Sequence, residues 1–222
     1  MNTIPDWNKQ TYQVSIEGET KLEGFLNIPE NPRGVVLFAH GSGSSRHSPR
    51  NQFVAHVLHH AGMATMLIDL LTVREEEYDH YTGHLRFNID LLSERVAQAT
   101  RWLTQYAATV HLKIGYFGAS TGAAAALVAA VQHPQVVKAI VSRGGRPDLA
   151  KPYLDRVQAP TLLIVGEKDT QVIALNRMAY SLLRCTKQIE IVTGATHLFE
   201  EPGTLEQAAQ IASQWFMKYL TF

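Results

Sequence analysis

A serine becomes a useful nucleophile when the chain lifts its hydroxyl clear of the backbone and a base stands beside it. Gly118-Ala119-Ser120-Thr121-Gly122 has the pattern for the first task. It follows an apolar run at 114–117 and opens an alanine-rich stretch at 123–126, so it sits where a strand turns sharply into a helix. Such a turn strains the serine backbone, and side chains two residues before or after would collide, hence glycine at both places. The amino end of the helix also favours negative charge developing nearby. His197, in Gly194-Ala195-Thr196-His197, is the candidate base. Asp169, in Gly166-Glu167-Lys168-Asp169, is the candidate carboxylate that holds the imidazole in the right tautomer. Glu167 is the weaker candidate, being nearer the preceding apolar run. Each residue alone has an ordinary explanation: chance glycines, one of ten histidines, a turn aspartate. The chemistry is carried by the combination, each member just after an apolar run.

A second glycine-containing loop, His40-Gly41-Ser42-Gly43-Ser44-Ser45, follows the apolar run 35–39. Attack on a carbonyl needs N–H donors already aimed at the developing oxyanion. The backbone N–H groups of Ser42 and Thr121 are the expected pair, and His40 is expected to brace the loop. A nucleotide-binding loop fits less well. Arg46 stands where the third glycine of G-x-G-x-x-G belongs, and no Gly-Lys-Ser/Thr follows.

The elements that must position these residues read as an α/β protein. Residues 12–17 and 21–27 alternate in polarity about Gly18 and predict an antiparallel hairpin. Continuous apolar runs at 35–39, 64–68, 114–117, 136–141, 161–165 and 189–192 predict strands buried on both faces of a parallel sheet. Helical spacing covers 51–61, 88–106 and 204–220, with Trp215 and Phe216 turned to the core. The sum is an eight-stranded, mostly parallel sheet with helices on both faces, formed as one domain over residues 1–222. In such a sheet ligands bind beyond the carboxyl ends of the strands, where all the candidate residues fall.

Several arginines share that face: Arg46 and Arg50, Arg74, Arg143 and Arg146. Arg46 and Arg143 are the candidate substrate-binding residues, able to grip an anionic group. The competing expectation is pairing with Asp69, Glu75, Glu76, Glu77 and Asp148. The segment 69–86, with Tyr78 and Tyr81, reads as a loop that either covers the pocket or merely connects elements. His56 and His60 have the i, i+4 spacing zinc favours, but the glutamate of H-E-x-x-H is missing, so no metal and no cofactor are expected.

Lys+Arg and Asp+Glu number 20 each, so net charge is zero and bulk capture of nucleic acid or anionic membrane is disfavoured. The lone Cys185 makes no intramolecular disulfide, and no run approaches the ~20 apolar residues that span a bilayer. The N-terminus lacks a basic and apolar leader pattern, so a cytoplasmic protein is the expectation, with a homodimer compatible.

Together these motifs resemble the α/β-hydrolase superfamily, in its dienelactone hydrolase-like branch without a large cap domain. The resemblance implies a triad of Ser120, Asp169 and His197 and places His40–Ser42 in the histidine-glycine loop. The run from His40 to Asn51 is also similar to that of bacterial dienelactone hydrolase-like proteins. True dienelactone hydrolases carry a cysteine nucleophile, whereas this elbow carries Ser120, and Cys185 lies outside any elbow. The expected function is hydrolysis of a small ester, thioester or lactone through an acyl-enzyme. Acyltransferases and peptidases use the same triad, and a dormant binding protein on this fold would usually lack one of its members.

Overall fold

The computed structural model describes residues 11–15 and 21–221. Its sheet has eight strands in the order β1-β2-β4-β3-β5-β6-β7-β8. The strands are β1 Thr11–Ser15, β2 Lys21–Asn27, β3 Val35–Ala39, β4 Ala64–Ile68, β5 Ile114–Ala119, β6 Val137–Arg143, β7 Thr161–Gly166 and β8 Lys187–Val192. β1 pairs antiparallel with β2, and β2 antiparallel with β4. From β4 across to β8 every pairing is parallel. The turn of the expected hairpin, with Gly18, lies outside the described residues.

The apolar runs are explained by burial from both sides. In β3, Val35, Leu37 and Ala39 enter one core while Val36 and Phe38 enter the other. That period of two is the strand's own geometry. α3 Ile89–Leu103, α4 Thr121–Gln132 and α5 Thr170–Leu182 contribute to the first core. α1 Pro49–His60 and α6 Thr204–Leu220 contribute to the second, where Trp215 and Phe216 are buried as expected. α4 is buried over most of its length, and its alanines let it sit close on the sheet.

The segment expected to be a loop at 69–86 contains a helix instead, α2 Val73–Thr82. A capping box starts it: Thr72 Oγ1 accepts the Glu75 N–H, and Glu75 Oε2 accepts the Thr72 N–H at 2.7 Å. Gly83 in the left-handed conformation ends it. Asp79, on its inner face, accepts from the Leu85 amide at 2.6 Å and from Arg86 Nε at 2.5 Å, tying the helix to the chain that follows. Val73, Tyr78 and Tyr81 are exposed, so apolar periodicity gave no sign of this helix. Residues 147–156, after β6, form a run of 3-10 turns.

Between β5 and α4 the chain reverses so tightly that backbone meets backbone. A Cβ on Gly118 would lie 2.4 Å from the Ala123 Cα, and one on Gly122 would lie 2.2 Å from the Ala39 carbonyl oxygen. Alanine favours a helix over glycine by only ~1 kcal/mol, which a clash with immovable main chain outweighs. Gly122→Ala is expected to destabilise the protein by about 2–3 kcal/mol, seen as a lower urea midpoint at unchanged slope.

Candidate active site

Ser120 occupies the turn between β5 and α4 with φ 50° and ψ −124°, a left-handed backbone in a residue other than glycine. Strain of this kind persists only where surroundings dictate it. Here the Ser120 carbonyl accepts from the amides of Ala123 and Arg146, at 3.1 and 3.0 Å. The turn is therefore anchored both to α4 and to the chain beyond β6. A Cβ on Gly41 would come within 2.9 Å of the Ser120 Cβ, so the loop after β3 passes directly over the serine.

Asp169 precedes α5 as its N-cap residue, yet its side chain caps nothing. It turns instead to His197, whose Nδ1 lies 2.6 Å from Asp169 Oδ2. The Asp169 side chain is 13% exposed and that of His197 38%, so the carboxylate is shielded while the imidazole faces solvent. With its Nδ1 proton directed at Asp169, the imidazole presents Nε2 as the free acceptor. Ser120 and His197 line one open cavity of about 260 Å³, together with Gly41, Ser42, Ser44, Ser48, Arg50, Asn51, Ala119, Arg143, Gly144 and Leu198.

The His197 loop is stapled by two carboxylates that the sequence pattern left without this role. Glu167 Oε2 accepts the Gly194 N–H at 2.8 Å, which gives the weaker acid candidate a structural place beside the pair. Glu201 Oε2 accepts the Thr196 N–H at 3.0 Å. Hydrogen bonds from Thr196 hold the Glu201 carboxyl below its ordinary value. Phe199, buried and with φ 56°, completes the loop.

His40 is half-buried, with Nε2 3.0 Å from the Leu70 N–H and Nδ1 2.9 Å from the Gly41 carbonyl. An amide can only donate, so Nε2 is the acceptor and Nδ1 carries the proton. Burial lowers the His40 pKa, consistent with a neutral ring that links the ends of β3 and β4. The expected bracing role follows from that geometry.

The expected oxyanion donors are arranged differently from the simple reading. The Ser42 N–H does not stand open: it donates to Thr121 Oγ1 at 2.8 Å. A neighbouring hydroxyl is an acceptor that backbone reasoning alone leaves out. The Thr121 N–H has no hydrogen-bond partner among the described residues.

The two candidate substrate-binding arginines part company. Arg46 is taken by ion pairs with Asp69 and with Glu23 across the sheet, and it is absent from the lining of the Ser120 cavity. Its expected substrate role is therefore corrected: a guanidinium held by two carboxylates has little left to offer a ligand anion. Arg146 likewise pairs with Asp148 at 2.8 Å, and Arg50 reaches Glu200 at 3.4 Å. Arg143 lines the cavity and has no carboxylate partner among the described residues. α2 contributes no lining residue to this cavity and stands to one side of it. No group of three or more His, Cys, Asp or Glu side chains among the described residues is placed to hold a metal, and no described helix is long and apolar enough to cross a membrane.

The profile of the Dienelactone hydrolase family matches residues 22–221. The chain belongs to that family. A crystal structure of dienelactone hydrolase from Anabaena variabilis ATCC 29413 is 60% identical, with TM-score 0.92, covering 95% of this chain and 98% of that one. Est1E from Butyrivibrio proteoclasticus shares the α/β-hydrolase fold at 13% identity, with TM-score 0.78 over 94% of this chain and 98% of its own. Two Mycobacterium tuberculosis proteins, from strains CDC 1551 / Oshkosh and ATCC 25618 / H37Rv, are 54% identical over 216 residues. Both are provisionally named phosphoribosyl transferases. The match covers 97% of this chain and 48% of each of them, so the chain spans about half the length of these curated relatives. The fold is the α/β-hydrolase fold, and the described residues form no large cap.

Glu201 supplies a test of how the histidine loop is held in this family member. Its carboxyl is depressed in the folded state, so its contribution is present above the ordinary glutamate range and is lost as pH falls through the folded value. Glu201→Gln is expected to melt below wild type at neutral pH, with the gap closing under acid conditions in paired thermal melts.

Proposed function

We propose that this chain is a serine hydrolase that cleaves a small carboxylic ester, thioester or lactone through an acyl-enzyme on Ser120. The observation that carries the reading is the short Nδ1–Oδ2 contact between His197 and Asp169, at the rim of the cavity that exposes Ser120. In this reading His197 Nε2 takes the Ser120 proton as Oγ attacks the carbonyl carbon. Asp169 stays ionised and stabilises the imidazolium. His197 then protonates the leaving group, and water repeats the sequence on the acyl-enzyme.

The Thr121 N–H is the first oxyanion donor in this scheme. Ser42 is the second, its N–H shared between Thr121 Oγ1 and the oxyanion when substrate is bound. Two such donors supply several kcal/mol, since removal of one typically costs about 100–1000-fold in rate. The substrate is a small molecule bearing an anionic group, because Arg143 lines the cavity without a protein carboxylate to neutralise it. The transferase name borne by the longer relatives is not adopted for this chain. The arrangement around Ser120 matches acyl chemistry, and the name describes proteins about twice as long.

A fluorophosphonate probe is expected to label wild type at Ser120 and to leave Ser120→Ala unlabelled. Folded wild-type protein that neither takes the label nor hydrolyses any short acyl ester contradicts the reading. Asp169→Asn, which leaves the side chain's shape intact but reverses the hydrogen bond, is expected to lower kcat by about 10⁴-fold with little change in KM, read in an ester assay.

A further inference from the structure

The cavity beside Ser120 holds more hydrogen-bond donors than an uncharged ester would use. Arg143 closes β6 and is only 6% exposed. Its Nη2 donates to Asn51 Oδ1 at 3.3 Å, while Nε and Nη1 are buried with no partner among the described residues. The rings of Phe117 and Phe199 lie 6.0 and 5.6 Å from the guanidinium carbon. They engage the charge through their faces but cannot satisfy N–H groups at its edge. Burial, reinforced by repulsion from Arg50, lowers the Arg143 pKa to about 10, so the group is still a cation at neutral pH. An uncompensated buried cation with idle donors is unfavourable in the free protein and is accounted for once an anion joins it.

The amino end of α1 enters the same cavity, since Ser48, Arg50 and Asn51 all line it. Ser48 caps the helix by accepting the Asn51 N–H through Oγ at 3.3 Å, which leaves its own O–H to donate. The Arg50 amide has no partner among the described residues, and Ser44 lines the same space. The Arg50 guanidinium is partly exposed and meets Glu200 only at 3.4 Å. Helix end, serine side chains and guanidinium fork thus line one cavity together with the candidate nucleophile.

We propose that this corner of the cavity is a phosphate subsite and that the ester cleaved at Ser120 carries a phosphate monoester group. The inference rests on the hydrolase reading only for the reaction at Ser120. Phosphate fits better than carboxylate for two reasons. The cationic charge of Arg143 and Arg50, weakly offset by Glu200, matches a dianion. Donors arriving from two sides match a tetrahedral group with three terminal oxygens, whereas a planar carboxylate would serve the fork alone.

The test uses Ser120→Ala protein, so that binding is read without turnover. Inorganic phosphate and acetate are titrated into it calorimetrically at matched ionic strength and at pH 8, where phosphate is dianionic. Phosphate is expected to bind about tenfold or more tightly than acetate. Adding Arg143→Met should weaken phosphate by about tenfold or more, and adding Arg50→Ala by a smaller factor. Arg143→Lys keeps the charge without the fork; it is expected to fall between, and it replaces Arg143→Met should that variant fail to fold. Phosphate bound no more tightly than acetate, or equally by the Arg143 variants, overturns the subsite and leaves hydrolysis at Ser120 standing. Phosphate binding that depends on Arg143, together with folded wild-type protein that neither takes the fluorophosphonate label nor hydrolyses any short acyl ester, upholds the subsite and removes the hydrolase reading instead.

Discussion

The site depends on one contact between main chains, where the first turn of α4 rests on the end of β3. The α-carbon of Gly122 faces the carbonyls of Ala39 and His40 with no room for a methyl group between them. Because the helix start cannot retreat, Ser120 is driven into its strained turn and held over the end of the sheet. The same contact brings the loop after β3 across the serine, close enough for Ser42 to reach the Thr121 hydroxyl. Two segments far apart in sequence are thus locked by atoms that belong to no side chain. His40 extends the lock sideways to Leu70, so the ends of β3, β4 and β5 are tied to one another.

Around this rigid centre the charges fall into two groups. Arg46, Arg86, Arg95 and Arg146 each meet a carboxylate and brace loops at the carboxyl edge of the sheet. Glu167 and Glu201 brace the histidine loop through backbone amides. Arg143 belongs to neither arrangement, and its burial beside the cavity sets it apart. The scaffolding arginines find their counter-charges in the protein; Arg143, which does not, is available to a ligand.

Much of this was legible in the residues, and the misses have physical causes. Strands β3 to β8 stood out because most are buried on both faces and so read as unbroken apolar runs. Their carboxyl ends were read short at Gly118–Ala119 and at Ser142–Arg143, because residues there serve the turn and the cavity rather than the core. α2 left no apolar stripe; its readable signal was local, Thr72 before it, Glu75 in its first turn and Gly83 after it. α5 buries only Val172, Asn176 and Ala179, too thin a face, and one interrupted by an amide, to show periodicity. Arg46 and Arg143 look alike in sequence. Glu23, on a strand brought beside Arg46 only by the fold, helps to decide between them. Chain order brought Asp169 and His197 together on paper, but their hydrogen bond required β7 and β8 to lie side by side.

The elbow also separates where a nucleophile stands from what it is. The positive φ at position 120 is imposed by glycines and carbonyls around it, and the Ser120 hydroxyl plays no part in maintaining the turn. A thiol in the same place would meet the same geometry. A cysteine and a serine at this position are then interchangeable as architecture and distinct as chemistry. The side chain at the tip of the turn is then free to differ without altering how the chain folds around it.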